Sequence, residues 1–382
     1  MVVKLGTSTI AHPDGKLNMS HLEGLVCQMA DAVRKGYEVI LVSSGAIGVG
    51  MNRLGLKERP KTMPEKQAVA AVGQGLLMES YERLFSKQDQ IVAQVLLTRE
   101  DVTERTRHLN ARHTLIQLLE YGVIPIVNEN DTVAVDEIRF GENDTLSSLV
   151  AALVHADLLI LLSDVDGLYT ADPRRFRVAQ RIPVITEITP ELEALAGGPG
   201  SNLGSGGMAT KVQAARIATL SGVHMVVADG AAENIISRVL HGEDVGTIFV
   251  ASEHALGSRK RWIAFYQQAM GDIIIDAGAA GALQDEGKSL LPIGVVGVRG
   301  YFEEGDLVRV IGPEGRELAR GLTNYASEDL NMIKGLPTSC IAGRLGHHDY
   351  DEVIHRDNLV LSRTKSVHEH SQVMTSKAHE EK

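Results

Sequence analysis

Asp157-Leu-Leu-Ile-Leu-Leu-Ser-Asp164 reads as the most apolar strand of the chain. Its aliphatic run does not alternate between an inward and an outward face. Both faces therefore need cover, as in a parallel sheet buried between helices. The run stops at Ser163-Asp164, where polar side chains take over. Its flanks agree with this reading. Upstream, Asn143-Asp144 opens a helical pattern through Leu146, Leu149, Val150 and Leu153. Downstream, the glycine-rich stretch Leu203-Gly-Ser-Gly-Gly-Met-Ala-Thr-Lys211 runs into a second helical pattern reaching Leu220. A further strand follows, His224-Met-Val-Val-Ala228.

The same alternation extends to the N-terminus. Val2-Val-Lys-Leu-Gly-Thr-Ser8 reads as a strand breaking into a turn. Ser20-His-Leu-Glu23 reads as a capping box, opening a helix with Leu22, Leu25, Val26, Met29 and Val33 inward and Gly36 at its end. Glu38–Ser43 is a strand that runs into the glycine-rich turn Ser43–Gly50. A helix over about 65–86, a strand over 91–97, a helix over 108–121 and a strand at Val123–Val127 complete the series. The fold class is α/β: a mainly parallel sheet sandwiched by helices. In such sheets ligands bind beyond the C-terminal ends of the strands. Lys4–Ser8, Ser43–Gly50, Asn128–Asp131 and Ser163-Asp164 occupy those ends, and the reading predicts that they share one rim.

The character changes after about Ala251. Short β-rich pieces and turns dominate from Asp272 onward, including Ile273–Ile275, Gly294–Val298, Asp306–Ile311 and Glu317–Leu322. The expected organisation is a catalytic domain over 1–255 and a linker over 256–271. A small β-rich domain over 272–361 and a disordered tail over 362–382 follow. The linker carries Arg259-Lys-Arg-Trp262, read as a salt-bridged joint.

Composition narrows the function classes. The chain has 382 residues, 44% apolar and only 4% aromatic, with a net charge of −11. That charge repels nucleic acid and anionic membranes. Between Asp272 and Thr364, fifteen Asp and Glu face nine Lys and Arg, a net of −6. RNA is therefore a poor partner for the β-rich domain. Cys27 and Cys340 match no disulfide or metal spacing. No apolar run approaches the ~18 residues of a membrane span. The expected location is the cytoplasm.

Several residues offer chemistry. The loop Gly204–Gly207 lets backbone approach a ligand, and free N–H groups at the following helix start suit an anion. Lys211 near that helix start is disfavoured by the helix dipole, which suggests an anionic partner. The loop is no Walker A motif, because Thr210 precedes the lysine and Val212 follows it. The alternative is a plain glycine loop. Lys4 can reach a phosphate or lie exposed at a strand end. Gly45, Gly48 and Gly50, with Ser43 and Ser44, suit backbone approach to a small anion rather than a dinucleotide. Asn128-Glu-Asn-Asp131 and Gly141-Glu-Asn-Asp144 offer donors and acceptors for a zwitterion, or Asp for an ammonium or hydrated Mg²⁺. The alternatives there are a surface turn and simple helix capping. Ser163-Asp164 and Gly167–Pro173 can line a nucleotide pocket or form ordinary turns.

Taken together and in order, these segments resemble the amino acid kinase family. The segments are Val2–Ser8, Ser43–Ile47, Asn128–Asp131, Gly141–Asp144, Gly167–Arg174 and Gly204–Lys211. Past the Arg259–Trp262 joint, residues 272–355 resemble a PUA domain. The resemblance implies the amino acid kinase fold, with ATP and Mg²⁺ as cofactors and the γ-carboxylate of L-glutamate as acceptor. It implies that Lys4, Lys211 and Asp144 are catalytic. Ser44, Gly45, Asn128, Asp131 and Asn143 would bind the acceptor. Lys4, Ser163, Asp164, Ser205, Gly206, Gly207, Met208, Ala209, Thr210 and Lys211 would bind nucleotide, and Mg²⁺ would be held mainly through the ATP phosphates. Family members often carry Thr at Ser163, Lys at Arg139 and Asp at Glu142. Arg139 keeps the charge but not the geometry of lysine, so it is given no role. The resemblance also implies a homo-oligomer, dimer or tetramer, and feedback inhibition by proline. Members acting on aspartate, N-acetylglutamate, carbamate or UMP stay open as alternatives, as does RNA binding through the PUA-like domain.

Overall fold

The computed structural model describes residues 1–133, 143–173, 176, 178–197, 207–252, 260 and 269–362. Arg139, Gly141, Glu142, Ser205, Gly206, the Arg259 and Arg261-Trp262 positions of the joint, and the tail from residue 363 lie outside them. The chain divides into two compact units, Met1–Arg261 and Trp262–Lys382.

The first unit runs β1 (Val2–Leu5), α1 (Thr7–Ile10), α2 (Met19–Arg34), β2 (Ile40–Val42), α3 (Ala46–Leu54), α4 (Met63–Ser86), β3 (Val92–Leu97), α5 (Arg99–Thr103) and α6 (Arg105–Glu120). It continues through β4 (Ile124–Glu129), α7 (Asn143–Val154), β5 (Leu158–Ser163), β6 (Val184–Ile185), α8 (Pro190–Leu195), α9 (Met208–Leu220), β7 (His224–Asp229), α10 (Ile235–Leu240) and β8 (Gly246–Phe249). The sheet order is β3-β4-β2-β1-β5-β7-β8-β6. Every pairing is parallel except β7 with β8. Strands β1 and β5 lie at the centre, with Lys4 opposite Val42 on one side and Leu161 on the other. Both carry near-unbroken buried aliphatic runs, as covered strands require. On one face of the sheet, Val3, Leu5, Leu41, Ile126, Ile160 and Leu162 pack with Leu22, Leu25, Val26 and Met29 of α2.

One helix start differs from expectation. Helix α2 begins at Met19 and is capped by Asn18, whose side chain accepts from the His21 amide at 3.3 Å. Ser20 already lies inside the helix, so the expected Ser20–Glu23 capping box does not form. A capping residue must keep non-helical backbone angles, and Asn18 does, at φ −81 and ψ 83. Glu23 instead pairs with Lys87 at 2.8 Å. A capping box does form at Thr62 and Glu65, where α4 starts.

The second unit is built on a five-stranded sheet. Its strands are β9 (Gly271–Ile275), β10 (Val295–Gly300), β11 (Leu307–Ile311), β12 (Glu317–Leu322) and β13 (Leu359–Leu361), in the order β10-β9-β11-β12-β13. Its own core gathers Ile273, Phe302, Val308, Val310, Leu330 and Ile354. Among the described residues no helix is long and apolar enough to cross a membrane.

Candidate active site

Strand β1 and helices α7 and α9 deliver three charges to one point. Lys4 stands on β1 one residue before its end, Asp144 in the first turn of α7, and Lys211 in the first turn of α9. Helices α7 and α9 pack against each other, which brings their N-terminal turns together. Lys4 Nζ lies 2.6 Å from Asp144 Oδ1, an ion pair by distance though off the line of a hydrogen bond. Lys211 Nζ donates to Asp144 Oδ2 at 3.2 Å, and the Thr210 hydroxyl reaches the same oxygen at 3.0 Å. All three charged side chains are buried: Lys4 is 7%, Lys211 3% and Asp144 0% exposed. Burial pushes the Asp144 carboxyl up, but Lys4 and then Lys211 outweigh it and hold it below the ordinary carboxylate range. Asp144 is thus ionised, and its side chain pairs with lysines rather than capping its helix. Among the described residues, two ammonium groups face this one carboxylate. The lysine that the dipole of α9 disfavours has its counterion within the chain.

A second cluster lies at the ends of β2 and β4. Asn143 Nδ2 donates to Ser43 O at 2.5 Å, Asn128 Oδ1 at 2.8 Å and Ser44 Oγ at 3.1 Å. Asn128 is 2% exposed. Its Oδ1 also accepts from the Glu129 amide at 2.9 Å, and its Nδ2 donates to Gln74 Oε1 at 2.7 Å. Ser43 Oγ and Tyr81 OH are 2.9 Å apart, and burial pushes the Tyr81 phenol up to about 12. Gly45 turns β2 into α3 at φ 91, a left-handed angle that favours glycine. Asp131 is half-buried in the turn after β4. The adjacency of Asn143 and Asp144 in sequence joins the two clusters: one residue faces the amides, the next faces the lysines.

The remaining nucleotide-site candidates are spread along the rim. Ser163 is buried at the end of β5 and donates to the exposed Asp164 carboxylate at 3.0 Å. The Gly230 amide donates to Ser163 O at 2.8 Å, tying the ends of β5 and β7. Gly207 is the N-cap of α9, with Met208, Ala209, Thr210 and Lys211 in its first turn. Gly167 stands at φ 148, and the following Leu168 amide donates to the buried Thr247 hydroxyl at 2.8 Å. Among the described residues, no group of three or more His, Cys, Asp or Glu could hold a metal ion.

Sequence reasoning did not find Gln74, Tyr81 or the contact of Thr210 with Asp144. Gln74 and Tyr81 sit inside the long helix α4, where no local pattern marks them. Only the polar Gln74 between Gly73 and Gly75 breaks the apolar run there.

Residues 1–229 match the amino acid kinase family, and residues 271–342 match the PUA domain. A protein of Moorella thermoacetica named glutamate 5-kinase is 56% identical over 361 residues, covering 94% of this chain and 96% of that protein. One of the same name from Carboxydothermus hydrogenoformans is 56% identical over 362 residues, covering 94% and 97%. Another, from Caldanaerobacter subterraneus, is 54% identical over 361 residues, covering 94% and 97%.

Proposed function

The chain belongs to the amino acid kinase family, and from that premise we propose that it phosphorylates the γ-carboxylate of L-glutamate with ATP. A γ-carboxylate oxygen bonds to the γ-phosphorus, the bond from that phosphorus to the β,γ-bridging oxygen breaks, and ADP leaves. The product is γ-glutamyl phosphate, and the step is the first of proline synthesis. The observation that carries this reading is the junction of two unlike clusters. A cationic pair suited to phosphate adjoins an amide cluster suited to an amino acid.

A carboxylate nucleophile is already ionised at neutral pH, so it needs no general base. Catalysis then rests on positioning and on cations facing the charge of the transferring group. Lys4 and Lys211 supply these cations, and Asp144 holds both ammonium groups in place between turnovers. Asn143, Ser44, Gly45 and Asp131 bind glutamate, and Asn128 orients Asn143. Ser163, Asp164, Ser205, Gly206, Gly207 and the first turn of α9 from Met208 to Lys211 bind ATP. Mg²⁺ entering with the phosphates would neutralise charge on the nucleotide. The Asp144 carboxylate is engaged by Lys4 and Lys211, so the phosphate oxygens would supply ligands to such an ion.

The match of curated relatives over nearly the whole chain favours glutamate over aspartate, N-acetylglutamate, carbamate or UMP as acceptor. We further read the enzyme as a cytoplasmic homo-oligomer that proline inhibits at the glutamate site, on the family resemblance. Lys211→Ala tests the mechanism. Removing one transition-state cation should lower kcat for glutamate-dependent ADP release by on the order of 10²–10³ while the fold persists. Unchanged turnover would sink the mechanism.

A further inference from the structure

We infer that Gln74 is a positioning residue for the acceptor amino acid, acting through Asn128 on Asn143; this rests on the acceptor-site reading above. Two backbone groups of fixed polarity orient the side-chain amides. The Glu129 N–H can only donate, so the Asn128 atom 2.9 Å from it is the oxygen. The Ser43 carbonyl can only accept, so the Asn143 atom 2.5 Å from it is the nitrogen. With both amides oriented, Asn143 Nδ2 donates to Asn128 Oδ1, and Asn128 Nδ2 needs an acceptor. Gln74 Oε1 is that acceptor, at 2.7 Å. The network thus engages Asn143 through its Nδ2.

Asn128 is 2% exposed, so little water can replace Gln74 beside it. An apolar side chain at position 74 leaves Asn128 Nδ2 unsatisfied unless the amide rotates. Rotation would set Nδ2 against the Glu129 N–H and withdraw the oxygen from Asn143. Either response weakens the hold on the acceptor without touching the lysines or the nucleotide loop. Gln74 lies on α4 and bonds Asn128, while Tyr81 of the same helix bonds the Ser43 hydroxyl.

The test is a double-mutant cycle on the full chain with Gln74→Met and Asn128→Ala, reading KM for glutamate, KM for ATP and kcat. Methionine keeps length and helix propensity. Gln74→Met should raise the KM for glutamate about tenfold, the loss from an unsatisfied buried donor, with the KM for ATP unchanged. In the Asn128→Ala background the same change should add less than about twofold, because coupled partners are not additive. Additive effects, or an equal rise in both KM values, would overturn the inference. If Asn128→Ala turns over too slowly, the shift in unfolding temperature produced by glutamate gives the same cycle. Absence of glutamate turnover in the unmutated chain would instead contradict the functional reading, and this inference with it.

Discussion

Asp144 balances two buried ammonium groups with one carboxylate. Asp144→Asn removes the buried carboxylate that Lys4 and Lys211 share. Breaking a buried pair in this way costs about 3–5 kcal/mol, so the urea midpoint should fall sharply; an unchanged midpoint would contradict the pairing. The pH dependence has a definite sign. The folded Asp144 carboxyl titrates below its ordinary range. Its contribution is therefore complete above the unfolded carboxylate pKa of about 4 and is lost as the pH falls through the lower folded value. Acid titration of the wild type, followed by circular dichroism, should show this loss, and Asp144→Asn should flatten it. Lys4, Asp144 and Lys211 were legible because each stands at a strand end or helix start. Gln74 and Tyr81 were not, because their roles depend on which strand ends lie beside α4.

At the scale of elements, α3 and α4 meet through glycines. A Cβ at Gly73 would sit 1.8 Å from the Ala46 carbonyl oxygen, whereas one at Gly75 would meet nothing within 4 Å. The two positions should respond oppositely to the same substitution. Gly73→Ala forces the helices apart and should cost about 1–3 kcal/mol. Gly75→Ala gains helix propensity and should stabilise by up to about 1 kcal/mol. Urea unfolding of both variants checks this, and a Gly73→Ala chain as stable as wild type would refute the close approach. Periodicity made the long elements legible, since aliphatic runs without alternation became β1, β4 and β5. It did not mark β6 and β8, which have two and four residues, β6 at the edge of the sheet and β8 next to it. The Ser20–Glu23 motif misled because its pattern recurs inside helices. The true cap, Asn18, is set by where the chain leaves its extended turn.

Across the whole molecule, charge and site chemistry point the same way. A net charge of −11 opposes phosphate backbones. A gel shift with structured RNA at physiological salt should therefore show no complex, and a salt-sensitive shift would revive an RNA role for the second unit. The central claim is that one rim joins a phosphate end to an amino acid end. The most direct test is ADP release by the full chain with ATP and Mg²⁺, offered glutamate, aspartate, N-acetylglutamate, carbamate or UMP in turn. ADP release should depend on glutamate and fall when proline is added. Release driven by another acceptor, or none with glutamate, would contradict that claim.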